Sequence, residues 1–566
     1  MKKLFTLCCL FLCTFPSLVQ AQTDKKYFIY FKDKANSPYS VSQPSAYLSP
    51  AALARRTRQN ITVNTRDLPV NPAYVTGIKS TGASVLYKSK WFNGVLVSAN
   101  PAQLAVIQNL PFVNATFATE KNNGATQPDK TEKPANALRL AANRSDYGIS
   151  YSQAEMVGAT QMHDAGFRGE GMTIAVFDAG FPDVNTGLPF AHLFQNNQIK
   201  GTYDFVDNDQ TVYEKNSHGT MALSCIGAYQ LGKFIGTAYK ANFYLFITED
   251  VRSEHPIEEF NWLFAAEYAD SAGVDIISSS LGYNTFDAPS VNYTYADMNG
   301  DKAVSTRAAD FAAAAGILVV NSAGNEGADS WRYITAPADG DSVLAVGAVD
   351  SLGFKAFFSS FGPTFDGRIK PNVSAQGLLA AVVTTNGFIG RNNGTSFSCP
   401  IISGLAAGFW QANPALTNMQ VIDYLQKSAS QANNPDNLLG YGIPNFMKAQ
   451  SLLNPNNPNN PNNPNNPNNP NNPNNPANSG DAVNIFPNPV KGDQVTIKLK
   501  NFMDPVLVEV ILYDRLGRKV DQKSLLKLAD RESVQFPIDP GLAAGLYFMQ
   551  VSWGREVKVL RLLKMQ

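Results

Sequence analysis

Three short segments of this sequence contain the acid, the base and the hydroxyl that nucleophilic acyl transfer requires. Asp178 ends an apolar run that predicts a strand, His218 opens a helical run rich in Ala and Ser, and Ser396 precedes an apolar helical run. A serine hydroxyl becomes a nucleophile when a base removes its proton. Histidine can be that base, and a buried carboxylate can fix the tautomer of the imidazole. Each residue alone is more typical of a turn or a helix cap, but the order Asp, His, Ser predicts a catalytic triad.

A fourth segment could stabilise the negative charge that acyl transfer develops. Asn325 lies between Gly324 and Glu326, just after an apolar run that predicts a strand. A side-chain amide can donate a hydrogen bond to an oxyanion, and so can the backbone N–H groups at the start of a helix. We therefore expect Asn325 to lie beside Ser396 as an oxyanion donor.

The histidines and cysteines do not form a recognisable metal site. The chain has four histidines, and none belongs to an HExxH pair, so neither metalloprotease chemistry nor a metal cofactor is expected. Cys225 and Cys399 are the cysteines that remain after residue 21. Cys225 follows His218 by about two helical turns and Cys399 follows Ser396 closely, so both should be buried near the site. They are either packed free thiols or one disulfide bridge.

The elements that must position these residues alternate between strand and helix. Apolar, β-rich runs lie at 173–177, 243–248, 274–278, 317–321 and 343–349, and helical runs lie at 220–228, 257–272 and 303–315. Apolar strands alternating with helices predict a parallel sheet covered on both faces, and working residues gather at the carboxyl ends of such strands. We expect residues 141–452 to form a doubly wound α/β catalytic domain.

The segments before this domain predict an export signal and a small α+β unit. Residues 1–21 contain two lysines, an apolar run and a terminal Val-Gln-Ala. This pattern is typical of a signal peptide, and the alternative, a membrane anchor, would need a longer run. Within residues 22–140, strands are predicted at 27–31, 83–87, 94–98 and 112–117, and helices at 49–59 and 101–110. Residues 119–146 are polar and predict an exposed connector open to proteolysis.

The segments after the domain predict a spacer and a β-sandwich. Residues 454–476, within an expected linker at 453–479, repeat Asn-Pro-Asn. Such a repeat favours a polyproline II spacer of about 70 Å over a collapsed segment. Residues 480–566 contain short runs of alternating apolar and polar residues separated by turn residues, which predicts a small all-β sandwich.

Charge and composition exclude a nucleic-acid binder. Lys+Arg and Asp+Glu both number 46, and 44% of the residues are hydrophobic, which indicates a globular protein without a general basic surface. The zero net charge conceals an asymmetry, because residues 22–139 have 15 basic and 6 acidic residues whereas residues 140–452 have 16 and 30. The two segments should therefore attract each other.

At its motifs the chain resembles the subtilases, the subtilisin-like serine proteases of peptidase family S8. The matching segments are FDAG at 177–180, SHGT at 217–220, SSSLGY at 278–283, SAGNEG at 322–327, FSSFGP at 358–363, DGRIKP at 366–371 and NGTSFSCP at 393–400. Ala179 stands where Thr or Ser is common, and Met221 replaces a frequent second histidine, but neither departure removes a triad atom. The resemblance implies a subtilisin-like fold and a secreted serine endopeptidase that cleaves extracellular proteins or peptides through an acyl-enzyme intermediate.

The resemblance also implies which residues surround the substrate. Asp178, His218 and Ser396 would be the triad, with Asn325 as the oxyanion donor. Ser280, Leu281 and Gly282 would form an edge strand that pairs with an extended peptide. Ser322, Ala323 and Gly324 would form the opposite wall of the pocket that receives the residue before the scissile bond. Thr335 and Ala336 align with the base of that pocket, and their small size implies a roomy pocket for apolar side chains, with Glu326 able to accept a basic one.

The sequence leaves two questions about the catalytic domain open, namely the role of a group of acidic residues and the presence of calcium. Asp250, Glu254, Glu258 and Glu259 follow a predicted strand. They are either solvated acids at the start of a helix or a group that selects basic residues upstream of the cut. Calcium is common in the family, so a calcium ion is possible, but no ligand set can be matched here and no metal site is assigned.

The flanking segments carry resemblances of their own. Residues 27–118 resemble the propeptide of these proteases, with a ferredoxin-like βαββαβ pattern. By analogy, the propeptide would assist folding and block the cleft until it is cut. Residues 480–566, with NIFPNPV at 484–490, resemble the C-terminal sorting domain of type IX secretion, an immunoglobulin-like sandwich. This implies the type IX machinery as a partner, and passage through the periplasm to the outside or surface of a Gram-negative bacterium.

Two alternatives stay open at this point. The tail could instead be a carbohydrate-binding or adhesive β-module. The whole chain could be a catalytically silent subtilase fold used for binding or adhesion.

Overall fold

The computed structural model describes residues 24–119, 145–453 and 483–565, the last range with gaps at 487, 489, 500–505, 515–517, 528–532 and 554–555. The chain divides into two compact units, Met1–Ala449 and Gln450–Gln566. The predicted signal peptide, most of the predicted connector and the Asn-Pro repeat lie outside the described residues. Within the described ranges, no helix has both the length and the apolar character that crossing a membrane requires.

Residues 24–119 form an antiparallel sheet with three helices. The strands are β1 (Lys25–Phe31), β2 (Ser84–Ser89), β3 (Gly94–Ala99) and β4 (Val113–Ala118), in the spatial order β2-β3-β1-β4, and the helices are α1 (Pro50–Arg58), α2 (Pro72–Lys79) and α3 (Pro101–Gln108). With α2 and α3 as its two helices, this is the expected ferredoxin-like pattern, and α1 is an addition to it.

Of the two helices between β1 and β2, only α1 was predictable from the sequence. Helix α2 escaped prediction because it contains Val75, Thr76 and Gly77, which are weak helix formers. The Asn71 side chain accepts a hydrogen bond from the Ala73 N–H at 2.9 Å, and Ile78 is fully buried, so a cap and a core contact hold the helix instead.

The following residues form a seven-stranded parallel sheet with helices and two short strand pairs around it. The strands are β5 (Thr173–Asp178), β6 (Ile199–Asp204), β7 (Tyr229–Gln230), β8 (Phe234–Ile235), β9 (Asn242–Ile247), β10 (Ile276–Ser279), β11 (Leu318–Ser322), β12 (Val343–Val349), β13 (Val373–Gln376), β14 (Ala380–Val383) and β15 (Ile389–Asn392). The helices are α4 (Tyr151–Met156), α5 (Ala159–Asp164), α6 (Ala191–Gln195), α7 (His218–Gly227), α8 (Ile257–Ala272), α9 (Val304–Ala314), α10 (Thr395–Ala412), α11 (Asn418–Ser428) and α12 (Phe446–Leu453).

The spatial order of the parallel sheet is β13-β12-β11-β10-β5-β9-β6, and the two short pairs are β7-β8 and β14-β15. The five predicted strands are present within two residues of their expected ends, and their apolar residues are buried because helices cover the sheet. Edge strands β6 and β13 were not predicted, since β6 alternates polar and apolar residues and β13 has only four residues. The doubly wound α/β architecture is therefore confirmed.

The small antiparallel sheet packs on helices α8 and α9. The Phe28 ring stacks on Phe260 with centroids 4.7 Å apart, and Phe92 meets Phe311 edge-to-face at 6.0 Å. These rings belong to one apolar cluster that includes residues of both segments. Aromatic burial of this kind is a main source of interface stability.

The second unit contains two antiparallel sheets around one core. Its strands are β16 (Val483–Phe486), β17 (Gln494–Leu499), β18 (Val506–Tyr513), β19 (Lys519–Lys527), β20 (Ser533–Pro537), β21 (Gly545–Trp553) and β22 (Glu556–Lys564), in the orders β16-β17-β20 and β19-β18-β21-β22. Val495 and Ile497 of the first sheet and Val510 and Met549 of the second are fully buried in the same cluster. The expected all-β sandwich is confirmed.

Candidate active site

The carboxylate of Asp178 and the imidazole of His218 are hydrogen-bonded at the carboxyl end of β5. The distance from His218 Nδ1 to Asp178 Oδ1 is 2.7 Å, and Asp178 is fully buried. Gly219 permits this contact, since a Cβ at that position would lie 2.8 Å from Asp178 Cβ and 2.4 Å from Gly180 O. The glycine that follows the histidine in the sequence therefore lets the start of α7 approach the end of β5.

Ala179 leaves the carboxylate incompletely bonded. The Ala179 N–H donates to Asp178 Oδ1 at 2.8 Å, whereas Asp178 Oδ2 is buried without a hydrogen-bond partner among the described residues. A Thr or Ser at position 179 would offer a hydroxyl in this neighbourhood. The departure from the family pattern noted in the sequence thus coincides with an unpartnered oxygen.

Ser396 lies in the first turn of α10, beside the end of β10. Its carbonyl would normally accept the N–H of residue 400, but Pro400 has none. The Ser280 hydroxyl donates to Ser396 O at 2.9 Å instead, and the Ser396 hydroxyl lies 3.5 Å from Ser280 O. The neighbouring Phe397 ring lies 5.9 Å from the His218 ring, centroid to centroid. The first turn of α10, which contains Ser396, therefore lies next to the His218 ring.

The side-chain amide of Asn325 is oriented by the residue before Ser396. Thr395 donates to Asn325 Oδ1 from its backbone N–H at 2.9 Å and from its hydroxyl at 3.0 Å. Because the amide is planar, holding Oδ1 in this way turns Nδ2 away from Thr395. The arrangement links the predicted oxyanion donor to the first turn of α10. Thr395 was not singled out from the sequence, although its position next to Ser396 was a signal.

The two expected walls of the substrate groove lie next to each other. The carbonyl of Leu281 accepts hydrogen bonds from Asn321 Nδ2 at 2.9 Å and from the Ser322 hydroxyl at 3.3 Å. Ser280 and Ala323 are buried, while Gly282 is exposed. One wall therefore follows β10 and the other follows β11, as expected for two strands that are neighbours in the sheet.

Thr335 lies close to a glycine in each of these walls. A Cβ on Gly282 would fall 2.2 Å from Thr335 Oγ1, and one on Gly324 would fall 3.1 Å from the same atom and 2.4 Å from Glu326 Oε2. The Thr335 hydroxyl is buried and has no hydrogen-bond partner within the described part of the chain. The Thr335 side chain thus lies close to both glycines, which favours a smaller pocket than the one predicted from the sequence; the size of the pocket itself stays a prediction.

Glu326 is less available to a basic side chain than expected. The Ser360 hydroxyl donates to Glu326 Oε2 at 2.8 Å. Burial raises the pKa of Glu326 above its usual value. A carboxyl that is partly buried and already hydrogen-bonded is less available to a basic side chain than an exposed one.

The acids that follow β9 do not behave as one solvated group. Arg252 binds both carboxylate oxygens of Asp250, at 2.7 and 2.8 Å. Glu258 and Glu259 are buried, so the expectation of a solvated helix start is wrong for them. Glu258 accepts the N–H groups of Asp250 and His255, and Glu259 accepts Tyr293 OH and Ser305. Of these four acids, Asp250 is already paired with Arg252, and Glu258 and Glu259 are held inside the domain.

A different set of carboxylates lines the cleft beside His218. The cleft has a volume of about 560 Å³ and extends from His218 and Ser280 past Glu249, Glu254 and Glu258. In the described part of the chain, these three glutamates are the residues close enough to share a cation, with one oxygen of each within 4.8 Å of the others. Burial, followed by the charge of Glu254, raises the pKa of Glu249 to about 8. Protonation of Glu249 can thus reduce the repulsion between the carboxylates of this cluster.

The two cysteines are free thiols. Cys225 Sγ lies 3.7 Å from Ala381 O, and Cys399 Sγ lies 3.4 Å from Ser279 O. Burial raises the pKa of both thiols to about 12. Of the two possibilities left open by the sequence, packed free thiols are the ones that the structure contains.

Comparison with known proteins gives a consistent result along the chain. Residues 26–135 match the peptidase S8 propeptide domain of Bacteroidota, residues 169–442 match the subtilase family, and residues 484–565 match the secretion system C-terminal sorting domain. Each match coincides with one of the folded segments described above.

Individual relatives are subtilisins. Subtilisin NAT of Bacillus subtilis subsp. natto is 29% identical over 375 residues, which cover 64% of this chain and 86% of the relative. Subtilisin of Bacillus pumilus is 32% identical over 291 residues, which cover 50% of this chain and 91% of the relative. A crystal structure of MycP1 with the N-terminal propeptide removed is 23% identical, with a TM-score of 0.43, and covers 53% of this chain and 96% of that one. The chain belongs to the subtilase family of serine peptidases, with an N-terminal S8 propeptide and a C-terminal type IX sorting domain.

Proposed function

We propose that this subtilase is a secreted serine endopeptidase, made as a zymogen, with Ser396 as nucleophile, His218 as general base and acid, and Asp178 as the orienting carboxylate. The observation that carries the proposal is the 2.7 Å hydrogen bond between His218 Nδ1 and buried Asp178. This bond fixes the tautomer in which Nε2 can accept a proton. It also stabilises the imidazolium that forms when the serine attacks.

In this proposal Asn325 stabilises the tetrahedral oxyanion. Its amide nitrogen faces away from Thr395, whose N–H holds the amide oxygen, and the N–H of Ser396 in the first turn of α10 would be a second donor. Preorganised donors of this kind lower the barrier because they need no reorientation when charge develops. The acyl-enzyme then forms on Ser396 and is released when His218 activates a water molecule.

The substrate in this proposal is an extended segment of a protein or peptide. Ser280, Leu281 and Gly282 would bind its backbone on one side, and Ser322, Ala323 and Gly324 would face it on the other. The side chain before the scissile bond would meet Thr335, so we expect it to be small. Glycine at 282 and 324 leaves the substrate backbone free to approach both walls.

The domain boundaries follow from the same proposal. Residues 1–21 would be the signal peptide, 22–140 the propeptide with its connector, 141–452 the catalytic domain, 453–479 the linker and 480–566 the sorting domain. The matched ranges 26–135, 169–442 and 484–565 fall inside these bounds. The sorting domain and the Bacteroidota propeptide indicate a protein that is secreted or held at the cell surface of a Gram-negative bacterium. Export would proceed through the periplasm.

Replacement of one serine tests the proposal against a silent fold used for binding or adhesion. We expect Ser396→Ala to abolish hydrolysis of a denatured protein substrate. Ser398→Ala is the matched control, because Ser398 lies in the same helix turn and donates to Thr395 O at 3.0 Å. The control should keep most of its activity. A folded wild-type protein that hydrolyses no peptide bond after its connector is cut would favour the silent alternative.

A further inference from the structure

The additional helix α1 of the propeptide lies at the end of the parallel sheet where the strands begin. The active site lies at the other end, where the strands finish. Helices α8 and α9 begin where strands β9 and β10 end, which is the edge that carries the cleft, and they end before β10 and β11 begin. Helix α8 has 16 residues, so its two ends are about 24 Å apart. Contacts at the last residues of α8 are therefore remote from Ser396.

Helix α1 packs directly on the two glycines that end α8 and α9. A Cβ on Gly273 would fall 2.3 Å from Ala51 Cβ, and one on Gly316 would fall 2.8 Å from Gln59 Nε2. Gln59 Nε2 donates to Gly316 O at 2.7 Å, and its Oε1 accepts the Asn418 N–H at 2.8 Å. A bulkier residue at Gly273 would displace α1, because its Cβ would also lie within 3 Å of the backbone of Ala51 and Ala52.

The strongest polar contacts of α1 converge on Asp270, near the end of α8. Arg55 and Arg56 both form ion pairs with its carboxylate, the Arg56 Nη1 distance being 2.8 Å, and Lys90 of the propeptide adds a third at 2.6 Å. Asp270 is fully buried, and both arginines are only 2% exposed. Within the described residues, every cation paired with Asp270 belongs to the propeptide.

Arg55 also satisfies backbone groups of the catalytic domain. It donates to Val274 O at 2.7 Å and to Ala315 O at 3.1 Å, which lie just after α8 and α9. The last carbonyls of a helix have no hydrogen-bond partner inside the helix. A buried cation at this end therefore donates hydrogen bonds to carbonyl groups and also interacts favourably with the helix dipole. These contacts are also where the basic propeptide meets the acidic domain, as the charge asymmetry predicted.

We propose that α1 is an exosite anchor, that is, a helix that binds outside the cleft and holds the propeptide on the protease after the connector has been cut. The site that it occupies is formed by Asp270, Val274, Ala315 and Gly316, and the ligand that fits it is a helix with two adjacent arginines. Removal of the two arginines would leave the buried carboxylate of Asp270 with Lys90 as its remaining ion-pair partner. Removal of one side of a buried ion pair raises the free energy of the complex strongly, because the other charge stays buried. Release of the propeptide is therefore controlled from the edge of the sheet opposite the cleft.

The test measures how fast the cut propeptide leaves the full chain. A site for a specific protease is inserted between residues 120 and 144 in a Ser396→Ala background, so that no peptidase activity intervenes. The cut propeptide is fluorescently labelled, and its dissociation is followed after addition of excess unlabelled propeptide. We expect Arg55→Ala/Arg56→Ala to release it at least about 100-fold faster than the parent.

Arg58→Ala is the matched control on the same helix. Arg58 is one-third exposed and pairs with Asp275 at 2.7 Å, so its loss should accelerate release less than about fivefold. A release rate of the double variant within about threefold of the parent would overturn the proposal. If the double variant does not fold, Asp270→Asn provides the same comparison from the protease side, with at least about tenfold faster release expected and an unchanged rate contradicting the anchor.

The anchor rests on the propeptide but not on the proposed catalytic residues. Dissociation is measured with Ser396 replaced, so an inactive wild-type enzyme would reject the proposed function without changing this result. Conversely, an active enzyme whose propeptide leaves equally fast with and without the two arginines would reject the anchor alone.

Discussion

At the scale of single residues, the orientation of Asn325 depends on Thr395. The Thr395 hydroxyl contacts both Asn325 Oδ1 and Gly324 O, at 3.0 and 3.1 Å. We expect Thr395→Val to lower kcat by about tenfold with little change in KM, because the backbone N–H still holds the amide. Asn325→Ala should lower kcat by about 10²–10³-fold. Thr395→Ser, which keeps the hydroxyl, is the control, and an equal loss in Thr395→Ser and Thr395→Val would reject the orienting role.

A second prediction at this scale concerns the size of the residue before the scissile bond. Thr335 contacts both walls, so the wild type should prefer Ala over Phe in a series of chromogenic peptides that differ only there. Thr335→Gly should shift the ratio of kcat/KM values toward Phe by about tenfold or more. Thr335→Ser should shift it less. A wild type that already prefers Phe would show that Thr335 does not limit the pocket.

At the scale of elements, the start of α8 is held by a buried acid. Glu259 joins α8 to Tyr293 OH at 2.7 Å and to the Ser305 hydroxyl near the start of α9 at 2.8 Å. Burial raises the pKa of Glu259 to about 7. Its folded-state pKa thus exceeds the unfolded value, so the stability that its neutral form provides is present at low pH and is lost as the pH rises through about 7.

Substitution of Glu259 by Gln should remove this pH dependence. Relative to Glu259→Gln, the free energy of unfolding of the parent should fall by on the order of 2–3 kcal/mol between pH 5 and pH 8. Urea unfolding in the Ser396→Ala background measures it. Glu214→Gln, at an exposed position, is the matched control for the loss of one carboxylate. A difference between the parent and Glu259→Gln that stays constant from pH 5 to pH 8 would contradict the assigned pKa shift.

The helices and strands differ in how well they could be predicted from the sequence. Five strands of the parallel sheet were predictable because each is a continuous apolar run, and the candidate site residues were singled out because they end strands or begin helices. Helix α2 was not predictable from its weak helix formers, and α1 was predicted without any indication that it binds α8 and α9. Glu258 and Glu259 look like surface acids in the sequence, and only tertiary contacts with distant residues such as Ser305 show that they are buried.

At the scale of the whole molecule, the sorting domain has a core of its own. Deletion of residues 480–566 should therefore leave the peptidase activity within about twofold of the full chain, because a domain with its own core can be removed without opening another. In a host with the type IX system, the truncated protein should stop in the periplasm. Activity assays on the purified protein and fractionation of the cells test both expectations. Loss of activity in a truncated protein that is still folded would show that the domains are coupled.

Maturation is a second property of the whole chain. If the connector is cut by the protein's own active site, Ser396→Ala should keep residues 22–140 covalently attached when it is purified alone. Electrophoresis of the variant beside Ser398→Ala measures this. Complete processing of isolated Ser396→Ala would show that another protease cuts the connector.

The most direct test of the central claim is covalent labelling of the serine. A fluorophosphonate reacts with a serine that a histidine activates. In the processed wild-type protein, mass spectrometry should find one adduct, on Ser396, and His218→Ala should reduce its rate of formation by at least about 10³-fold. Absence of an adduct on Ser396 in folded, processed protein, or labelling that is equally fast in His218→Ala, would contradict the assignment of a catalytic triad.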